Sequence, residues 1–286
     1  KHRHGLLALA NHPELGFIAQ QIPDLEQSLN PSKRRYVRRA LDYVSHKWRR
    51  RGVVSMERTL ATVLEGFGRA ASEFVELDNK LVTPAVFDAI AMFLRPGDVL
   101  VTRHAKALTN LFFPGFWPHA ALYVGLPAQR EAHGIQSDHD EFDRWVDDIC
   151  VLEAKKDGVL LRPLSETLTV DAFVVLRPNL DQDDIRLAIE RALQHEGKKY
   201  NFDFNFFTSD RVVCTELIYR AYDGLGNMRF PLQERAGRKT LSAEDLLDFA
   251  LDSGSFSPVA IFGVEDVTHT VLFGEQVRDT LVNSYR

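Results

Sequence analysis

The sequence predicts an α+β fold, with an antiparallel sheet packed by helices and a separate N-terminal helical region, rather than a doubly wound parallel sheet. Three observations carry this. A helical period of apolar residues runs to about Ala91. Short β-branched runs bounded by turn residues then follow one another from Val99 to Leu176. Amphipathic helices return after Asp181, where strands of a doubly wound fold would have alternated with helices all along.

The elements are read in chain order. Asn30-Pro31-Ser32 opens the helical region. Val37, Leu41, Val44 and Trp48, then Met56, Leu60, Val63, Phe67, Ala70 and Phe74, fall in steps of three and four that share one helix face, with Gly52 breaking the two. Thr83-Pro84 opens a third helix with proline in its first turn. The turn Pro96-Gly97-Asp98 leads into a buried strand, Val99–Thr102. Further strands are Ala120–Val124, stopped by Gly125, and Ile149–Ala154. Lys156-Asp157-Gly158 turns the latter back into Val159-Leu160-Leu161, the clearest hairpin signal in the chain. Ala172–Leu176 is a strand ended by Pro178. Asp183–His195 is a helix with Asp181 as its cap and Gly197 after its end. Val212-Val213 enters Cys214, Thr215 to Tyr222 continues as a helix that Gly224 closes, and Ser242-Ala243-Glu244-Asp245 starts another. The expected organisation is a helical region over 1–91, a main domain over 92–265 and a C-terminal tail over 266–286. Glu131–Asp148, polar and acidic, reads as a surface excursion.

Composition narrows the function classes. An apolar content of 45% supports a real core, and a net charge of −5 gives no reason to expect nucleic acid as partner. The charge is uneven: the first sixty residues carry roughly +7 and the remainder roughly −12. Lys33, Arg34, Arg35, Arg38 and Arg39, then Lys47, Arg49, Arg50 and Arg51, form either a solvated helix face or a docking surface for acidic lipid or an acidic protein. Two cysteines, Cys150 and Cys214, exclude a disulfide framework and fit a reducing compartment. No apolar stretch is long enough to span a membrane. No signal peptide is visible; the chain begins at Lys1, so an upstream targeting segment stays open and cytoplasmic residence is the default.

The chemistry points to Cys214. A thiol at a strand-to-helix junction feels the positive end of the helix dipole, which favours the thiolate, and has free backbone N–H groups beside it for an oxyanion. The bland alternative is a small buried apolar residue. His119 opens a strand after Trp117-Pro118, where a base would be rigidly held. Glu153 interrupts the apolar strand Val151-Leu152-Glu153-Ala154, where it either faces solvent by alternation or orients a histidine.

The segments RPGDVLVT (Arg95–Thr102), WPHAALYVG (Trp117–Gly125), VLEAKKDGV (Val151–Val159), GKKYNFDF (Gly197–Phe204) and VVCTELIYRAY (Val212–Tyr222), in this order, resemble the circularly permuted papain-like fold of the NlpC superfamily, specifically its YaeF/YiiX-like group. In that group the histidine strand comes first and the cysteine helix last. The resemblance implies Cys214 as nucleophile, His119 as general base and acid, and Glu153 as the orienting group. Tyr200 matches a tyrosine of that pattern and either lines the pocket or helps the oxyanion site, or is an aromatic core residue; Glu216 reads as structural and Asp98 as holding its turn. Leu111, Phe112, Phe113, Phe116 and Trp117 form an apolar run that either fills a cleft or makes a lip for an acyl chain.

The expected function is therefore a thiol hydrolase or acyltransferase, acting on an amide, ester or thioester of a small-molecule, peptide or acylated substrate, with no cofactor required. The alternative is a papain-like binding module without activity, with the basic helices recruiting a partner and an unreactive, fully buried Cys214. A metal site built from His104, His119, His133, His139, Glu153 and Cys214 is disfavoured, since no H-x-x-x-H or C-x-x-C spacing occurs.

Overall fold

The computed structural model describes residues 81–103, 117–135, 148–155, 157–201, 211–235, 238–265 and 267–285. All belong to one compact unit, 77–105 together with 115–286. The basic run and the helices expected over 25–80 lie outside the described residues, as does most of the acidic stretch expected as an excursion, and so do Phe116, His104 and His139.

The unit opens with helix α1 (Pro84–Ala91), whose start is capped by the Thr83 hydroxyl accepting the Val86 N–H and whose first turn holds Pro84. Strands β1 (Val99–Arg103), β2 (His119–Tyr123), β3 (Ile149–Lys155) and β4 (Gly158–Pro163) follow, with a short helix α2 (Pro127–Ala132) between β2 and β3. After the single turn α3 (Leu164–Thr167) come β5 (Ala172–Pro178) and α4 (Gln182–Leu193). Two short strands, β6 (Lys199–Tyr200) and β7 (Arg211–Val212), precede helix α5 (Cys214–Tyr222). A small hairpin, β8 (Gln233–Arg235) and β9 (Arg238–Thr240), leads to α6 (Ala243–Ser253), β10 (Phe256–Phe262), β11 (Leu272–Phe273) and α7 (Gln276–Tyr285).

Seven strands make one sheet in the order β11-β10-β5-β1-β2-β3-β4, with every neighbouring pair antiparallel. This is the α+β architecture expected. Alternation sends Val99, Val101, Ala120, Leu122, Leu152 and Ala154 to one face, where they pack against Ala188 and Ile189 of α4, Leu217 and Ile218 of α5, Leu246 and Leu247 of α6. Leu100, Ala121, Tyr123, Val151, Phe173 and Val175 point the other way, against Val86 and Ile90 of α1 and Leu164 of α3. Burial on both faces explains why β1 and β5 read as unbroken apolar runs instead of alternating ones.

The turn before β1 is locked by Asp98, which accepts the Arg95 N–H at 2.8 Å and a two-pronged contact from Arg177 at 2.7 and 2.9 Å. The β3–β4 hairpin has Lys155 opposite Gly158, as its turn residues suggest. Gly158 is required there. Its φ is +117°, and a side chain would meet the Lys198 carbonyl at 2.7 Å.

The stretch expected as a C-terminal tail is part of the domain: β11 pairs with β10, and α7 buries Val277 and Leu281 completely. Strand β10 was not anticipated either. It carries Pro258, which argues against a central strand. The two-residue β11 pairs only with Ala260 and Ile261, so Pro258 lies beyond the reach of that neighbour, at a register shift against β5. Among the described residues no helix is long and apolar enough to cross a membrane.

Candidate active site

Three elements deliver the three chemical groups. Cys214 is the first residue of α5, with Val213 in extended conformation as the cap. The N-terminus of this helix is tied down by Glu216, which accepts the Val213 N–H at 3.2 Å and is itself held by Arg220 at 2.7 and 2.9 Å. The next hydroxyl, Thr215, donates to the Leu241 carbonyl at 2.6 Å. The cysteine backbone is thus fixed from both sides, and Glu216 has the structural role expected of it.

His119 is the first residue of β2, opposite Thr102 of β1. Glu153 lies on β3, and the pair Tyr123↔Val151 sets the register. Paired residues share a face and alternate residues return to it. His119, Ala121 and Tyr123 therefore face the same way as Val151, Glu153 and Lys155. Cys214 packs in the apolar cluster on the opposite face, and its thiol meets the His119 ring where β2 begins.

The contacts form a relay. His119 Nε2 and Glu153 Oε2 are 2.8 Å apart. The same ring faces the Cys214 thiol and interacts with it electrostatically. The backbone N–H groups of Ala120 and Thr215 also favour the charged form of the sulfur. Glu153 is fully buried, and the His119 side chain is 19% exposed.

The electrostatics follow from these contacts. Burial works against charge on all three groups. For Cys214 the facing imidazolium and the two backbone donors outweigh burial and hold the thiol below its ordinary value. For His119 the thiolate and then the carboxylate outweigh burial, raising the ring to about 9. For Glu153 the contacts from His119 and then Lys155 outweigh burial, bringing the carboxyl down to about 2. The resting state these directions favour is thiolate, imidazolium and carboxylate. Cys150 is the contrast: buried in the other cluster, its thiol is pushed up to about 11, mainly by burial.

Tyr200 stands beside Cys214. The parallel pair of β6 and β7 sets it opposite Val212, two residues before Cys214. Burial and the neighbouring sulfur charge push its phenol well above the ordinary value, so it stays protonated and able to donate. Trp117 differs from the expected lip. It is 1% exposed, with its indole N–H directed at the Ser284 hydroxyl of α7 at 3.3 Å, and its ring belongs to the core. His133 sits just past α2, with Nδ1 against the Gln129 carbonyl.

Sequence reasoning missed three neighbours of Glu153: Lys155, Arg162 and Thr167. The signal was available. The hairpin turn sets Lys155 opposite Gly158 and Arg162 opposite Val151, which puts both cations on the face of Glu153.

The family model of the permuted papain-like amidase enzymes, YaeF/YiiX, C92 family, matches residues 93–268. This chain belongs to that family. The match covers more than half of the chain and includes Cys214, His119 and Glu153. Searches of curated proteins and of solved structures found no match. Membership agrees with the sheet and helix arrangement above and assigns the domain to the cysteine-hydrolase type.

Proposed function

We propose that the protein is a thiol hydrolase or acyltransferase working through a Cys214-His119-Glu153 triad and an acyl-enzyme. The observation that carries this reading is the His119 ring shared between the buried Glu153 carboxylate and the Cys214 thiol. The Cys214 thiolate attacks the carbonyl carbon of an amide, ester or thioester, and the carbonyl oxygen takes the negative charge. Backbone N–H groups at the start of α5 and the Tyr200 phenol are the donors proposed for that oxyanion. Protonated His119 gives its proton to the leaving amine, alcohol or thiol as the bond breaks, leaving a thioester on Cys214. His119 then takes a proton from water or another acceptor, which attacks the thioester and frees the thiolate. Glu153 keeps the ring in one orientation and stabilises the imidazolium.

The apolar residues Leu111, Phe112, Phe113 and Phe116, close before His119 in sequence, favour an acylated or amphipathic substrate over a polar cell-wall peptide. The basic residues between Lys33 and Arg51 suit an acidic lipid or protein partner. The test pairs an acyl-ester or thioester series with small peptide amides, and follows both turnover and the intact mass of the chain. The expected result is a mass gain equal to the acyl group, placed on Cys214 and absent in Cys214→Ala. Turnover that survives in Cys214→Ala overturns the mechanism, and turnover of peptides alone removes the acyl preference.

A further inference from the structure

Glu153 has more partners than a triad requires, and they are divided between its oxygens. Oε2 faces His119 Nε2 at 2.8 Å. Oε1 takes Lys155 Nζ at 2.6 Å and the Thr167 hydroxyl at 3.2 Å, and lies 3.3 Å from Arg162 Nε. These groups come from four elements: His119 from β2, Lys155 from β3, Arg162 from β4 and Thr167 from α3. Beyond the imidazole stand Cys214 of α5 and, beside the sulfur, Tyr200 of β6. Arg162 is shared. Its terminal nitrogens reach Asp157 at 2.6 Å and Glu166 at 2.8 Å. Lys155 lies 3.8 Å from Glu166, so its short contact is with Glu153.

The division has a consequence for proton traffic. When His119 has passed its proton to a leaving group, the imidazole is neutral. A buried carboxylate left with no other cation would then compete for the proton and lose its charge. Lys155 and Arg162 take no part in that proton transfer, and the short contacts of Lys155 and the Thr167 hydroxyl on Oε1 set the rotation of the carboxyl group. We propose that Lys155, backed by Arg162, is a positioning residue that keeps Glu153 ionised and turned with Oε2 toward His119 throughout the cycle. The proton of His119 is thereby directed to the leaving group instead of to Glu153. This inference rests on the triad reading above.

The test needs no substrate. The rate of Cys214 alkylation by iodoacetamide is measured against pH in the full chain for wild type, Lys155→Met and Lys155→Arg, with unfolding temperatures alongside. The Lys155 side chain is 30% exposed, so its removal leaves the core intact. Loss of this cation raises the proton affinity of both Glu153 and Cys214. The acid limb of the alkylation profile then moves up by about one pH unit in Lys155→Met, about tenfold slower alkylation on that limb. Lys155→Arg restores the wild-type limb. Lys155→Gln, which keeps a donor without the charge, is read the same way as Lys155→Met if the latter does not fold. A wild-type profile with no thiolate limb below the ordinary cysteine range sinks the triad reading itself. A depressed wild-type limb that stays in place in a folded Lys155→Met or Lys155→Gln overturns only the role of Lys155.

Discussion

Replacing Glu153 by glutamine keeps the shape of the side chain and removes its charge, which turns the buried carboxylate into a measurable stability difference. In the folded chain the carboxyl falls from an ordinary 4.5 to about 2. Each tenfold change in proton affinity corresponds to about 1.4 kcal/mol. The ionised form therefore contributes about 3 kcal/mol to folding at neutral pH. The sign follows from where protons bind. Between 4.5 and about 2 the unfolded chain takes up a proton that the folded chain refuses, so this contribution is complete above 4.5 and drains away as the pH falls. Glu153→Gln is expected to be less stable than wild type by at least about 3 kcal/mol at pH 7, with two cations left facing a neutral amide. By pH 3.5 the difference shrinks by about 1 kcal/mol. Urea unfolding of both proteins at pH 7 and pH 3.5 measures it, with fluorescence reporting on the buried Trp117. Taking the difference between the two proteins cancels every other carboxylate. A gap that is the same at both pH values refutes the reasoning, because Glu153 would then not be held ionised by His119, Lys155 and Arg162.

Two further predictions concern the backbone at Gly263 and the contrast between the two thiols. Gly263→Ala is expected to destabilise the domain by several kcal/mol, on the order of 3, because φ there is +80° and the added carbon would overlap the Asp171 carbonyl; thermal unfolding checks it, and a wild-type midpoint counts against the close approach of these two backbone segments. In native protein at pH 7, alkylation followed by peptide mass mapping is expected to label Cys214 and spare Cys150, whose thiol stays protonated up to about 11; equal labelling of both would remove the distinction between an activated and a merely buried thiol.

What could be read without the structure is what short stretches decide for themselves. The caps are an example: Asp181 accepts the Asp184 N–H at 2.8 Å, and Ser242 and Asp245 exchange side-chain contacts at 3.0 and 2.7 Å, each between residues three apart. The β3–β4 hairpin is another, with its register set by the turn itself. Cys214 at a helix start belongs to the same class, because a strand run into a helical period marks the junction. The sheet order was harder. Strand β10 joins β5 across a long separation, and Pro258 hid it because a proline is excluded only where a neighbour needs its N–H. The helix α7 gave a weak signal because only Val277 and Leu281 of it are fully buried.

Local pattern along the chain was enough for the class of fold, the order of the chemical residues and the family pattern that those residues complete. Tertiary structure decided which of them meet. His119 and Glu153 are 34 residues apart and meet only through strand pairing, and Cys214 reaches the ring from a helix on the far face of the sheet. It also made Trp117 a core residue and surrounded Glu153 with Lys155, Arg162 and Thr167. The physical reason is range. Caps and turns are closed by hydrogen bonds over three or four residues and so are written locally. Burial of Glu153 and Trp117, and the charge balance around the thiol, are sums over groups that only the packed sheet brings together.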